Sequence, residues 1–302
     1  MKSLTTRRDF LAGSLALGNL STLCKASSFA RGARSDAGKP RNKKGVRIGM
    51  LPRGMPYLES FRMARACGFD QLEPPATFDQ EEVSRLKAAA DAAHLEIGSV
   101  SNSMNWKYPL TDPDPEVAQK GLEAQRAALN NAHFYGAEAI LLIPGVVTPS
   151  VSYREAGTRS RKQIEQLLPL AETLGVYIAL EEVGDQGKFL LSPLEFAAYL
   201  DDFKSRWIRA YFDVGNVMPM GFPQDWIRTL GPRIVKVHLK DYDPKTHRFV
   251  NLGEGTVDWA SVRQAFVEIG YSGTYTVELP AGDQPYLSDI SQRIDRLLLS
   301  TS

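Results

Sequence analysis

Ile234-Val235-Lys236-Val237-His238-Leu239-Lys240-Asp241-Tyr242-Asp243 opens as an apolar run and then delivers His238, Lys240 and Asp241 within four positions. A short β-rich run of this kind reads as a buried strand. A strand interior cannot readily satisfy an imidazole, an ammonium and a carboxylate, so these groups belong where the strand opens onto a pocket. Three further runs end the same way: YIALEEV on Glu181 and Glu182, IRAYFDVGN on Asp213 and Asn216, TYTVELP on Glu278. Four strands that each place a metal-ligand side chain near the C-terminal end are the strongest signal in the chain.

Working outward, short β runs alternate with helix-length amphipathic segments from Val46 onward. The patterns predict strands over residues 46–51, 69–74, 96–102, 137–144, 176–183, 208–216, 234–243 and 274–280. Between them they predict helices over 57–67, 79–93, 116–134, 153–174, 192–202, 223–230, 257–269 and 285–299. Pro169 predicts a kink or early end in the fourth of these, and Ser192-Pro193 supplies an N-cap followed by proline at the first helical position. Eight such units in one run imply a single α/β domain, a (β/α)8 TIM barrel over residues 46–302. An open doubly wound sheet is disfavoured, because no Gly-rich dinucleotide fingerprint follows the first strand and the polar residues come from many strands.

The 302 residues carry a net charge of +1, which conceals an asymmetry. Residues 1–45 hold ten Lys or Arg against Asp9 and Asp36, a local +8, so the rest carries −7. A body of that sign repels a phosphate backbone, which argues against nucleic acid as a partner. No apolar run reaches membrane-spanning length. Thr6-Arg7-Arg8-Asp9-Phe10-Leu11 is a twin-arginine pattern followed by a modest apolar run, with small residues at Ser28 and Ala30. Residues 1–30 therefore read as an export signal that directs the chain to the periplasm, and 31–45 as a basic linker. Cleavage there leaves Cys67 as the one thiol, which supplies neither a disulfide nor a cysteine metal site.

In a barrel the C-terminal strand ends converge on one mouth. Three carboxylates and an imidazole make an oxygen-rich site suited to Mn²⁺, Co²⁺ or Mg²⁺, with Zn²⁺ also admissible. The runs IALEEV, YFDVGN, VHLKD and YTVEL, in this order and spacing, resemble the xylose-isomerase-like TIM barrels, and within them the ketose 3-epimerase branch. The resemblance covers about residues 46–300. It implies one divalent ion held by Glu181, Asp213, His238 and Glu278, with Glu181 and Glu278 doubling as the acid/base pair. It also implies isomerisation or epimerisation of a sugar or keto-sugar through an enediolate. Two positions depart from that branch: Asn216 stands where a substrate-binding His is expected, and Pro244 where an Arg is expected.

Each residue also has a plainer reading. Strand alternation leaves open which of Glu181 and Glu182 faces the mouth, and motif position favours Glu181. Asp213 can cap the turn at Gly215-Asn216, and Glu278 can be a salt-bridged strand end. Lys240 either contacts substrate or pairs with Asp241. Glu73 is a candidate contact of substrate or of the ligand shell, and Asn216 of substrate, as is Trp106, which with Tyr108 forms either a lid or a packed loop. His94, His133 and His247 are read as non-catalytic. The export pattern points to a non-phosphorylated sugar, since sugar phosphates are mostly cytoplasmic. Competing readings are a lyase or dehydratase on the same metal site and a non-catalytic carbohydrate-binding barrel. A homo-oligomer is compatible with the sequence.

Overall fold

The structure is a computed structural model that describes residues 42–300. Residues 1–41, with the export pattern and most of the expected linker, lie outside the described residues. The barrel strands are β1 (Lys43–Arg47), β2 (Gln71–Glu73), β3 and β4 (Glu96–Ile97 and Ser99–Val100), β5 (Ala139–Leu142), β6 (Tyr177–Glu181), β7 (Ile208–Asp213) and β8 (Ile234–Leu239). A short hairpin, β9 (Asp241–Asp243) and β10 (Arg248–Val250), then precedes the last barrel strand, β11 (Thr274–Val277). The parallel sheet runs β3-β2-β1-β11-β8-β7-β6-β5-β4.

Both ends of that order are halves of one strand, interrupted at Gly98. Its N–H donates to Leu72 O at 3.1 Å and its carbonyl accepts from Glu138 N at 3.3 Å, so one residue joins the two edges and closes the barrel. No side chain fits at this seam, because a Cβ on Gly98 would lie 1.9 Å from Gln71 Oε1. The closed sheet has no free edge among the barrel strands, and the expected eight-stave TIM barrel is what forms.

The surrounding helices are α1 (Tyr57–Ala66), α2 (Gln80–Ala92), α3 (Pro115–Tyr135), α4 (Tyr153–Glu165), α5 (Leu168–Leu174), α6 (Gly184–Gly187), α7 (Pro193–Asp202), α8 (Pro223–Leu230), α9 (Trp259–Glu268) and α10 (Gln284–Ile294). Their starts follow local chemistry. The Asp79 carboxylate accepts from Glu81 N and Glu82 N, Ser152 and Glu155 form a capping box, and Ser192 accepts from Glu195 N. The helix expected over 153–174 is two helices, because Pro169 falls in the first turn of α5 and no longer has to donate a backbone N–H there.

Alternation on the strands divides the apolar residues into two groups. Ile140, Leu142, Ile178, Leu180, Ala210, Phe212, Val237 and Leu239 join the large core between sheet and helices. Ala139, Leu141, Ile143, Ala179, Val183 and Tyr211 form a small separate cluster inside the barrel. The rest of that interior is polar, which frees it to be a site. No helix of the described residues is long and apolar enough to cross a membrane.

Two boundaries differ from expectation. The first strand begins at Lys43, within the expected linker, and gives way to a 3₁₀ turn at Ile48 instead of running to residue 51. Its lysines mask it in composition, but both are paired: Lys43 with Glu96, and the buried Lys44 with Ser291 Oγ at 2.8 Å and Asp295 at 2.7 Å. The β9–β10 hairpin was not anticipated from the sequence pattern.

Candidate active site

Sheet order makes β6, β7, β8 and β11 consecutive neighbours. Glu181 ends β6, Asp213 ends β7, His238 lies near the end of β8, and Glu278 follows β11 directly. Their side chains offer four ligand atoms that all lie within 4.8 Å of one another. His238 Nδ1 is 2.8 Å from Glu181 Oε1, 3.6 Å from Glu278 Oε2 and 3.9 Å from Asp213 Oδ2. Ligand atoms each about 2.1 Å from one ion lie about 3–4 Å apart, and the separations of 2.8, 3.6 and 3.9 Å from His238 Nδ1 are close to what one divalent cation requires.

Backbone irregularity aims two of these groups. Ala210 pairs with Ile234 but Tyr211 pairs with Lys236, so β8 carries one extra residue, Val235. Ile234 consequently packs outward into the main core, while Lys236 and His238 turn inward opposite Tyr211 and Asp213. A bulge that re-aims a side chain beside an active site is a recurrent device. At Asp213 the turn expected from Gly215-Asn216 does form: Oδ1 accepts from Gly215 N at 2.8 Å and Asn216 N at 2.9 Å. This cap leaves Oδ2 for the cluster, so turn formation and ligation are compatible.

The ambiguity between the two glutamates resolves by packing. Glu181 shares the inward face with Ala179, which packs beside Tyr211. Glu182 faces away; its Oε1 accepts from Asp213 N at 2.7 Å and its carbonyl from Asn216 Nδ2 at 2.9 Å. Burial, then repulsion from Asp213 and Glu181, pushes its carboxyl well above the usual range. Glu182 thus braces the Asp213 turn through both its side chain and its carbonyl.

Lys240 does not pair with Asp241. Its Nζ lies 2.7 Å from Glu278 Oε2 and 2.9 Å from Asp213 Oδ2, with the Phe249 ring centroid 4.4 Å away. Asp241 is instead a structural anchor with no exposure. It accepts from Val257 N (3.0 Å), Gly253 N (2.9 Å) and Trp259 Nε1 (2.8 Å), which pins the loop after β10.

Glu73, expected to contact substrate or the ligand shell, is 1% exposed and lies against His238. Its Oε1 is 3.1 Å from His238 Nε2, while Oε2 accepts from Ser99 Oγ at 2.6 Å and from Tyr211 OH. Burial raises the Glu73 carboxyl, but His238, Arg47 and Ser99 outweigh it and hold it at about 2. For His238 burial lowers the imidazole, and the charges and hydrogen bonds of Glu73 and Glu181 prevail, raising it to about 9.

Asn216 is nearly buried, held by its bonds to Asp213 and Glu182, and Trp106 is half-exposed on the loop between β4 and α3. Sequence reasoning missed Arg47, whose guanidinium pairs with Glu278 and lies 3.3 Å from Glu73. It also missed Tyr211, tilted against His238 with ring centroids 4.3 Å apart. Tyr211 was within reach, since it shares strand parity with Asp213 two residues on. Of the histidines set aside, His133 Nδ1 lies 2.9 Å from Leu174 O and His247 Nδ1 lies 3.0 Å from Tyr242 OH, neither of them in the cluster.

The family model of the xylose isomerase-like TIM barrel matches residues 61–297. The chain belongs to that family. This xylose isomerase-like protein is 30% identical over 241 residues to L-ribulose-5-phosphate 3-epimerase UlaE of Shigella flexneri serotype 5b (strain 8401), over 76% of this chain and 84% of that one. The same identity and coverage hold for the protein of that name from Escherichia coli (strain SE11). A solved L-ribulose 3-epimerase superposes on the barrel with a TM-score of 0.73 at 20% identity, covering 85% of this chain and 94% of that one. A D-psicose 3-epimerase solved in the presence of D-fructose gives 0.71 at 17% identity, with 85% and 100% covered. At such identities the superpositions bear on the fold of this family member alone.

Proposed function

We propose that the protein is a divalent-metal-dependent epimerase of a free ketose or keto-sugar. The observation that carries this reading is the convergence of Glu181, Asp213, His238 and Glu278 from four adjacent strands, in a chain whose homologues are sugar epimerases. The donor set suits Mn²⁺, Co²⁺ or Mg²⁺. Such an ion polarises a ketose carbonyl and acidifies the neighbouring C–H.

The chain's own groups then divide the work. Glu181 and Glu278 flank the Asp213–His238 pair in sheet order, so they approach a bound sugar from different sides. One carboxylate removes the proton from carbon, and the other, as its acid, returns a proton to the opposite face and inverts the centre. The Lys240 ammonium, 2.7 Å from Glu278, supports negative charge that develops on a substrate oxygen. Asn216 and Trp106 are proposed to contact the sugar.

A neutral substrate is supported by two features. The twin-arginine pattern points to export and a periplasmic location. Among the described residues, the two cations paired with the cluster, Arg47 and Lys240, are both engaged by its carboxylates rather than offered to a phosphate. The test is NMR of D-fructose, D-psicose, L-ribulose and L-ribulose 5-phosphate incubated with the Mn²⁺-loaded protein. Epimer formation from a free ketose, lost on chelation, is expected. Turnover of the phosphate ester alone would contradict the neutral-substrate claim. A product lighter by water would replace the epimerase with a lyase.

A further inference from the structure

We propose that Glu73 is the positioning residue of the site: it holds the His238 ring so that Nε2 carries the proton and Nδ1 faces the ligand cluster. The inference rests on the metal-site reading above and goes beyond it. Nδ1 is the nitrogen within 3.9 Å of all three ligand carboxylates, and Nε2 is turned the other way, onto Glu73 Oε1 at 3.1 Å. A flip of the imidazole about its Cβ–Cγ bond would present Cδ2 to the carboxylates and Cε1 to Glu73, so both contacts together select one ring orientation.

Glu73 reaches His238 across the barrel. Its strand, β2, is separated from β8 in the sheet by β1 and β11. Glu73 is 1% exposed, and its carboxylate is engaged by His238, Ser99 and Tyr211. Its own position is over-determined: Ser99 Oγ and Tyr211 OH donate to Oε2, and Arg47 Nε lies 3.3 Å from Oε1. Tyr211 also packs against the imidazole, with 46° between the ring planes and centroids 4.3 Å apart. A carboxylate on the far nitrogen of a metal-binding histidine fixes the tautomer and raises ligand basicity, and its loss commonly costs 10–100-fold in metal affinity. Arg47, Ser99 and Tyr211 thereby acquire a role as the frame that keeps Glu73 in place.

The experiment is calorimetric titration of the whole mature chain with Mn²⁺, for the wild type, Glu73→Ala, Glu73→Gln, Tyr211→Phe and Asp241→Asn. In parallel, ¹⁵N spectra of the His238 ring in the Zn²⁺-loaded protein identify the protonated nitrogen. Circular dichroism confirms that each variant is folded. Glu73→Ala is expected to weaken Mn²⁺ binding about 10–100-fold. Glu73→Gln, which keeps one acceptor oxygen, should fall between Ala and wild type, and Tyr211→Phe should lose a few-fold. Asp241→Asn, destabilised at a side chain that bonds Gly253, Val257 and Trp259 and none of the four cluster residues, should bind as the wild type does. The wild-type ring should be protonated on Nε2. Wild-type affinity in Glu73→Ala, an equal loss in Asp241→Asn, or a proton on Nδ1 would overturn the positioning role and leave the metal site standing. A wild type that takes up neither Mn²⁺ nor Zn²⁺ would overturn both.

Discussion

At the scale of residues, the proposed catalytic pair, Glu181 and Glu278, and the proposed anchoring pair, Asp213 and His238, are expected to fail differently. Glu278→Gln and Glu181→Gln remove a proton carrier, and positioned acid–base groups contribute about 10²–10⁴-fold. Each should lower turnover by that order in steady-state assays. Asp213→Asn should instead raise the metal concentration needed for activity, because a ligand oxygen and its charge are lost. The His238–Glu73 contact also has a pH signature in chelator. His238 is raised from 6.5 to about 9, so its contribution to stability is complete below about 6.5 and is lost as pH rises through 9. Glu73 is lowered from 4.5 to about 2, so its contribution is complete above about 4.5 and is lost as pH falls through 2. Urea midpoints of wild type and Glu73→Gln should therefore differ most between about pH 4.5 and 6.5 and converge towards pH 9. The four residues of the cluster were legible because each lies at or near the end of an apolar run. The role of Glu73 was not, since it depends on a contact with a strand 165 positions away.

At the scale of elements, irregularities decide where side chains point. Simple alternation puts Ile234, Lys236 and His238 on one face, and only the extra residue Val235 sends Ile234 outward and the other two inward. Nothing in the sequence marks that bulge. The loop after β10 was legible as Gly-rich but not as a built structure. Gly255 permits the close approach: a Cβ there would lie 2.3 Å from Asp241 Oδ1 and 2.4 Å from Tyr242 O. Gly255→Ala should therefore destabilise the fold by about 1–3 kcal/mol, as overpacking does. Asp241→Asn should cost about 1–3 kcal/mol, because one end of the side chain becomes a donor facing donors. Urea denaturation of both variants checks these values. Either change leaving the midpoint at its wild-type position would mean the loop is not pinned as described.

At the scale of the whole molecule, the barrel was legible from eight alternations of period and from the absence of a composition break after the basic N-terminal segment. Its closure was not, because the third strand joins both edges through Gly98 while reading as one continuous run. The location remains a proposal that rests on Arg7 and Arg8. Replacing both with Lys should retain the chain in the cytoplasm on fractionation, and unchanged export would remove the argument for a neutral substrate. The central claim is proton exchange at a metal-held sugar by Glu181 and Glu278. The most direct measurement is metal content of the purified chain together with solvent-deuterium incorporation into free ketoses. One divalent ion per chain and deuterium uptake that vanishes on chelation and in Glu278→Gln is the predicted result. A chain that incorporates no deuterium after addition of Mn²⁺, Co²⁺ or Mg²⁺ would contradict it.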